Sequence, residues 1–563
     1  MVQKLDGIDF KDVVDYWKNF FPELKTENDI RELLNKTSGL NSDKLKDEWR
    51  KCQNNQEYIA YIEKKLLKDN KGEENLIDDI INNLPQHDFP YINFIAPLLQ
   101  AAFNKMKHNF DELDIIQNKS LLLQAMVISC YRSSYKMFFR TLILETNVAK
   151  EHGWLEGNTS ESRADYFKFV LLKDKMYIKS LYNEYSSLIR LIQNNIENYI
   201  NYIYDIIVAT TEEKSQLERK FNVSLGNIMD IETSFGDSHN GGKTVAVIAF
   251  TNGIKLVVKP RNMVLEQNFN EFINKLNKKV GRELLDLKYA RVHSRANFGW
   301  MEFVEYKECD SKEQVEDFYK RIGQYLCILY ALNAKDFHHE NLIALGEYPV
   351  LIDLEALLHI GKEEKDKESI HDLAMRMIGD SVYSIYLLPT RSLYSENNGQ
   401  VNTLDIGGVG GTTKQLSPLK SVKIIDGNTD NVKVEKDYNY VDIESNNPRL
   451  NNEIVSSDNY IDEIQYGFQH MYNWILKNKD TFLEMVEEYF NNVITRVIVK
   501  PTMLYTELLS LSYHPDLLRD NIHREVFFNR IGMAEFYNNP GKIALNEYQD
   551  LLQGDVPYFS INS

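Results

Sequence analysis

Near residue 222 the apolar residues stop recurring every third or fourth position and begin to alternate, and no other feature of the sequence limits the fold as strongly. Before that point, from Asp9 to about Thr211, side chains such as Leu181, Tyr185, Leu188, Ile192, Ile196, Tyr199 and Ile200 fall on one face of a 3.6-residue period. This predicts a helical N-terminal region. One break, GWLEGNTSESRADYF from Gly153 to Phe167, sets Asn158-Thr159-Ser160 as a loop and cap before a new helix at Glu161. After the switch, NIMDIETSF, KTVAVIAF and IKLVVKP alternate and are rich in β-branched residues, which predicts strands. Thr251-Asn252-Gly253 between the last two is a hairpin signal, because Asn-Gly tolerates the positive φ values of a tight turn. A helix pattern over Asn268–Lys279, strand-like YARVHS and GWMEFVEY, and a long helix from Lys312 to about Ala334 follow. Beyond lie the apolar run VLIDLEAL, read as a buried strand, and a mostly helical C-terminal part. The segment Thr390–Asn459, polar and holding DIGGVGG at Asp405–Gly411, reads as a long, partly mobile loop. Helices followed by mixed strands and helices predict an α+β fold, and no internal repeat is evident.

Composition narrows the partners. With 83 acidic against 65 basic residues the 563-residue chain carries a net charge of −18, so it repels a phosphate backbone, and nucleic acid is not expected as a partner. Four cysteines, Cys52, Cys130, Cys309 and Cys327, are too scattered for a disulfide framework or a C-x-x-C site, which fits a reducing compartment. The opening MVQKLDGIDFKDVVDYW is charged throughout, and no run of about eighteen apolar residues occurs. The expectation is a soluble, cytoplasmic protein without a transmembrane segment.

Three constellations bear on chemistry. The first, GDSHNGGK from Gly236 to Lys243, misses the Walker spacing and precedes a strand rather than a helix. A glycine-rich turn between antiparallel strands, then a hairpin, then a lysine on the next strand (Lys259), is the order of the nucleotide lobe of kinases. Taken alone, the loop is an ordinary glycine turn and Lys259 an edge charge.

The second is KDFHHENLIALGEYPVLIDLEAL, Lys335–Leu357. Asp336 and Asn341 stand five apart after a long helix, with Asp353 twelve residues further on. Kinases space a hydroxyl-accepting aspartate, a metal-binding asparagine and a second metal-binding aspartate in this way, and Mg2+ takes hard oxygen ligands of this kind. Asp353 and Glu355, two apart on a strand, would share a face, and carboxylates buried there need a cation or another partner. His338 and His339 alone suit packing or capping, and the mostly oxygen donors around them disfavour zinc. The third constellation, Arg496, Lys500, Thr502 and Tyr505 in ITRVIVKPTMLY, is by itself an element end before a proline.

Taken in order, GDSHNGGKTV, VVKPR, DFHHEN, LIDLEAL and RVIVKPT resemble the dehydratase domain of class II lanthipeptide synthetases, the LanM family, over most of the chain. The resemblance implies a fold like that of lipid kinases: a helical region 1–220, an N-lobe 221–334 and a C-lobe 335–563. It implies binding of ATP and Mg2+, phosphorylation of Ser and Thr in a ribosomal precursor peptide with a leader and a Ser/Thr/Cys-rich core, and elimination of phosphate to dehydroalanine or dehydrobutyrine. By position, Asp336 would be the phosphorylation base, Asn341 and Asp353 the metal ligands, and His338 and Glu355 their neighbours. Lys259 would hold phosphate oxygens, with Gly236, Gly241, Gly242 and Glu355 also on the nucleotide side. Arg496 and Thr502, with Asp237 and His239, match the elimination residues, and Tyr505 lies beside them. Family members normally continue into a zinc cyclase with Cys and His ligands, whereas this sequence stops at DVPYFSINS. The expectation is therefore a dehydratase cut within its C-lobe, with a separate cyclase as a possible partner. Two rivals stand beside it: a peptide kinase that stops at the phosphopeptide, and a non-catalytic kinase-like module that binds peptide.

Overall fold

The computed structural model describes residues 15–41, 43–45, 47, 76–359, 369–395, 401–411, 414–441, 445–533 and 542–563. The parts of the expected N-terminal helices over 9–14 and 48–75 lie outside them. The fold is α+β, as the change of period predicts. Three long helices dominate the first part: α1 (Ile92–Asp111), α2 (Lys119–Glu151) and α3 (Ser186–Phe221). Asn118 caps α2 by accepting from the Leu121 amide, and α3 stops where Asn222 turns into the left-handed region at φ 54°. That cap marks where the helical period ends. The expected cap before Glu161 is present, with Thr159 Oγ1 accepting from the Ser162 amide at 3.1 Å.

The alternating segments build an antiparallel sheet from β1 (Ile228–His239), β2 (Lys243–Phe250), β3 (Lys255–Lys259), β4 (Val292–Ser294) and β5 (Gly299–Glu302), in the order β1-β2-β3-β5-β4. Ala246, Ile248, Leu256, Val258 and Trp300 share a face and join one continuous apolar core with Ile203, Ile206 and Ile207 of α3. Burying such side chains contributes about 1.5–3 kcal/mol each. Polar contacts fix the register: Tyr202 Oη donates to the Thr244 carbonyl at 2.6 Å, and the buried Trp300 Nε1 donates to Thr210 Oγ1 at 3.1 Å. The opposite face carries Val257 and, one pleat further along β3, Lys259. It packs through Val257 and Met301 on Met263 and Val350.

Helix α4 (Val264–Val280) follows β3. After β5 comes α5 (Lys312–Ala331), then a small hairpin, β6 (Leu342–Leu345) with β7 (Tyr348–Leu351), and later α6 (Ile461–Lys477), which crosses α5. The helices touch backbone to backbone at two glycines. A Cβ on Gly323 would sit 2.0 Å from the Ile464 carbonyl oxygen, and one on Gly467 would sit 1.9 Å from that of Lys320.

Two expectations are corrected. The strand over VLIDLEAL ends at Leu351, so Asp353 and Glu355 do not alternate on a strand. They lie in a turn, in which Asp353 Oδ1 accepts from the Glu355 amide at 3.3 Å. The segment Thr390–Asn459 is not one long loop: Arg391–Ser395 pairs with Val401–Asp405, Gln415–Ile425 with Lys433–Val441, and Arg449–Leu450 with Glu453–Ile454. KVEKDYNYV has no buried side chain, and Lys436 interrupts the alternation of Val434, Tyr438 and Tyr440, so its strand signal is weak. The tip of the second hairpin is anchored by the buried Asp430, which accepts from Arg163 Nε at 2.6 Å. Cys130, Cys309 and Cys327 are buried free thiols, and no described helix is long and apolar enough to cross a membrane.

Gly323→Ala is expected to lower stability by about 1–3 kcal/mol, because the new methyl meets the rigid α6 backbone. Urea unfolding followed by circular dichroism measures this; an unchanged midpoint would show that the crossing can open without cost.

Candidate functional site

The elements converge on one cavity of about 390 Å3. Its walls come from distant parts of the chain. The end of β1 supplies Gly236, Asp237 and His239, and the end of β3 supplies Lys259 and Arg261. Asp336, His338 and Asn341 come from the loop after α5, and Asp353 and Glu355 from the turn after β7. Arg496 lies on β8 (Ile494–Val497), Thr502 opens α7 (Thr502–Ser512), and Tyr558 precedes β9 (Phe559–Asn562), which pairs with β8.

An ionic lattice holds the centre. Lys259 Nζ, 4 % exposed as a residue, donates to Asp353 Oδ2 at 2.7 Å and to the Ile352 carbonyl at 2.8 Å. Arg261 reaches Asp353 Oδ1 at 2.9 Å and Glu355 Oε2 at 3.0 Å, and pairs with the buried Glu266 at the start of α4. Arg496 pairs with Glu355, and its amide donates to the Glu355 carbonyl at 2.7 Å. Burial pushes the Asp353 carboxyl upward, but Lys259 and Arg261 outweigh it and hold the group well below the ordinary aspartate range. The same carboxylates hold Arg261 and Arg496 firmly charged against their own burial. The partner that the buried carboxylates require is thus supplied by this chain's own cations.

Asp336 sits at φ 68°, a left-handed conformation that costs a non-glycine residue about 1–3 kcal/mol. Its neighbours hold it there. The Lys335 amide donates to the Ala356 carbonyl at 3.1 Å, the Phe337 amide to Ile385 at 2.8 Å, and Asn341 Nδ2 to the Asp336 carbonyl at 2.6 Å. The DIGGVGG segment backs the loop through the His339 amide, which donates to Ile406 at 3.2 Å. Desolvation raises the Asp336 carboxyl above its ordinary value, and Glu355 and Asp353 add to this against His338 and Arg496. His338 Nε2 stands 3.9 Å from Asp336 Oδ1.

Not every expected residue lines the cavity. The amides of Gly241 and Gly242 donate instead to Asp555, at 2.6 and 2.9 Å. Tyr505, itself on α7, is buried, its hydroxyl 2.5 Å from Glu547 Oε1, which Lys500 also meets at 2.7 Å. Sequence reading missed Arg261, which lies in the bend just past the end of β3, where the period of a strand no longer applies. It also missed Tyr558, whose ring lies 5.2 Å from the Arg496 guanidinium and 5.4 Å from the His239 ring. No local pattern marks a residue brought in from so far along the chain. For a metal, Asn341 and Asp353 line one cavity and bring the oxygen donors that suit a hard cation, which would have to share the Asp353 carboxylate with Lys259 and Arg261 and take the rest of its shell from water and phosphate.

Comparison with known proteins decides the family. Residues 185–562 match the family described as "Domain of unknown function (DUF4135)", well over half of the chain. The chain belongs to this family. It is also 27 % identical over 471 residues to the "Lacticin 481/lactococcin biosynthesis protein LcnDR2" of Lactococcus lactis subsp. lactis, an alignment covering 81 % of this chain and 49 % of that protein. The chain therefore spans about half the length of this relative. The family match begins near the start of α3 and takes in every cavity residue, and the relative bears out the resemblance of the motifs to LanM-type lanthipeptide synthetases.

Arg261→Met leaves the buried Glu266 without its cation and takes one of two cations from each of Asp353 and Glu355, and is expected to cost about 3 kcal/mol at pH 7. Because the Asp353 carboxyl is depressed, its contribution is complete above the ordinary value of 3.8 and fades as pH falls below it. The gap between the urea midpoints of wild type and variant should therefore narrow on acidification, and a gap independent of pH would contradict the lattice.

Proposed function

We propose that the protein is a lanthipeptide dehydratase, built on a kinase-like core, that phosphorylates Ser and Thr of a precursor peptide with ATP and Mg2+ and then eliminates the phosphate. One observation carries this reading: the residues matching the transfer motifs (Lys259, Asp336, Asn341, Asp353) and those matching the elimination motifs (Asp237, His239, Arg496, Thr502) line a single cavity. A kinase alone has no use for the second group. Mg2+, held by Asn341 and Asp353, would neutralise phosphate charge during transfer.

In the first step Asp336 accepts the proton of the peptide hydroxyl as that oxygen forms its bond to the γ-phosphorus of ATP and the bond from that phosphorus to the bridging oxygen breaks, releasing ADP. The desolvation that raises its carboxyl makes it a better base, while Lys259 supplies a point charge beside the phosphate. In the second step a base removes the Cα proton, its electron pair forms the Cα=Cβ bond, and the Cβ–O bond breaks to release phosphate. Arg496 suits the leaving group, since a guanidinium can bind phosphate through two N–H donors. Thr502 lies in the first turn of α7, where free amides and the helix dipole favour an anion. His239 Nδ1 lies 2.6 Å from the Val556 carbonyl, which can only accept, so Nδ1 carries the proton and Nε2 is left as the basic nitrogen. His239 is therefore assigned as the Cα base.

Mass spectrometry of a cognate precursor peptide incubated with the protein, ATP and Mg2+ should show losses of water. Phosphate gain alone would favour the peptide kinase, and an unchanged cognate peptide would favour a binding module. Thr502→Ala should accumulate phosphopeptide; full dehydration by that variant would remove Thr502 from the elimination step. The rate of phosphate transfer should rise with pH through a midpoint above the ordinary aspartate value, since the raised Asp336 carboxyl must lose its proton to act. A midpoint within the ordinary range would argue that another group is the base.

A further inference from the structure

The segment Asp555–Tyr558 touches the glycine turn at three points, none of which follows from the motifs. Asp555 is 3 % exposed and lies just past α8 (Lys542–Gln553), where Gly554, at φ 91°, turns the chain. Its carboxylate accepts from the two consecutive amides of Gly241 and Gly242 at 2.6 and 2.9 Å, one oxygen to each. Both glycines have positive φ, 87° and 78°, so the turn presents its N–H groups together in one concave nest. Next along, the Val556 amide donates to the Ser238 carbonyl at 2.9 Å, and the Val556 carbonyl receives His239 Nδ1. From the other side Asn198 of α3 closes the turn, 3.5 Å from where a Cβ on Gly241 would stand.

We infer that Asp555 is a positioning residue for the elimination half of the site, a role that rests on the dehydratase reading above. A buried carboxylate is costly unless hydrogen-bonded, and here its partners are the two amides at the tip of the β1–β2 hairpin. The hairpin tip is thereby pinned to the end of α8. The pinning acts on His239, because the same stretch of backbone that carries the carboxylate also carries the carbonyl that sets the imidazole's tautomer. If the turn is released, His239 is free to rotate and lose its hold on Val556, and Asp237 moves with it. Lys259, Asp336, Asn341 and Asp353 sit on other elements and keep their own contacts. Removal of the carboxylate should therefore slow elimination and spare transfer.

The test compares wild type, Asp555→Ala and Asp555→Asn by two readouts. Amide hydrogen exchange over residues 236–243 should speed up by about tenfold or more in Asp555→Ala, with protection of the α5–α6 pair unchanged. With precursor peptide, ATP and Mg2+, the ratio of phosphopeptide to dehydrated peptide should rise by about tenfold at an unchanged rate of phosphorylation. Asp555→Asn, which keeps the shape and one acceptor oxygen, should fall between the two, and it decides both readouts if the alanine variant does not fold. Equal exchange, an unchanged ratio, or faster dehydration in the variants would overturn the role, the last by making Asp555 an obstruction rather than a support. If wild type itself transfers no phosphate, the dehydratase reading and with it the elimination role fall, while the exchange comparison still shows whether Asp555 pins the turn.

Discussion

Everything around the cavity depends on three cations, Lys259, Arg261 and Arg496, being buried against three carboxylates, Asp353, Glu355 and Glu266. Two of these links join segments far apart in the sequence, the end of β3 to the turn after β7 and that turn to β8, while Arg261–Glu266 fixes the adjoining start of α4. A buried ion pair rarely adds net stability over a well-packed apolar contact, but breaking one leaves a desolvated charge, so such pairs specify an arrangement more than they strengthen it. The cost of assembling them is met elsewhere. The apolar core shared by α3 and the sheet holds β3 from behind, and the close α5–α6 crossing holds the loop that carries Asp336.

Because the sheet is backed by α3 on one face, only the other face of β3 is available to the cavity. Val258 and Leu256 point into the helices, whereas Lys259 falls on the side of Val257. The helical part of the chain is in this sense a structural component of the cavity, although the cavity is lined only by later residues. Tyr202, Thr210 and Asn198 of α3 each touch the sheet or its turn, so a shift of that helix would be felt at the glycine hairpin.

Much of this was legible in the sequence where the information is local. The change of period at Asn222, the Asn252-Gly253 hairpin and the Thr159 cap are decided by neighbours within a few residues, and the structure has them where the sequence predicts. Spacing also anticipated that Asp336, Asn341 and Asp353 would meet, since a short hairpin between them leaves little freedom. What failed was of three kinds. Strands that bury no side chain, as in Lys433–Val441, carry only a weak apolar signature. Residues recruited over long range, such as Tyr558 and Asp555, are set by a β8–β9 pairing and a helix end that no local window contains. The strand misread over Asp353 belongs to a third kind: an apolar run whose aspartate side chain captures its own backbone and ends the strand early.

The pairing of β8 with β9 has a consequence for how the molecule is made. Residues 559–562 lie beside 494–497, and the wall they complete also contains residues from 236 onward, so the cavity closes only through contacts of very large sequence separation. Such contacts form late, after the loop-closure entropy of the intervening chain has been overcome. A nascent chain on the ribosome would carry the helices, the sheet and the Asp336 loop for some time before its last wall arrives. Whatever chemistry the cavity performs thus needs a wall that is made only once synthesis has passed residue 558.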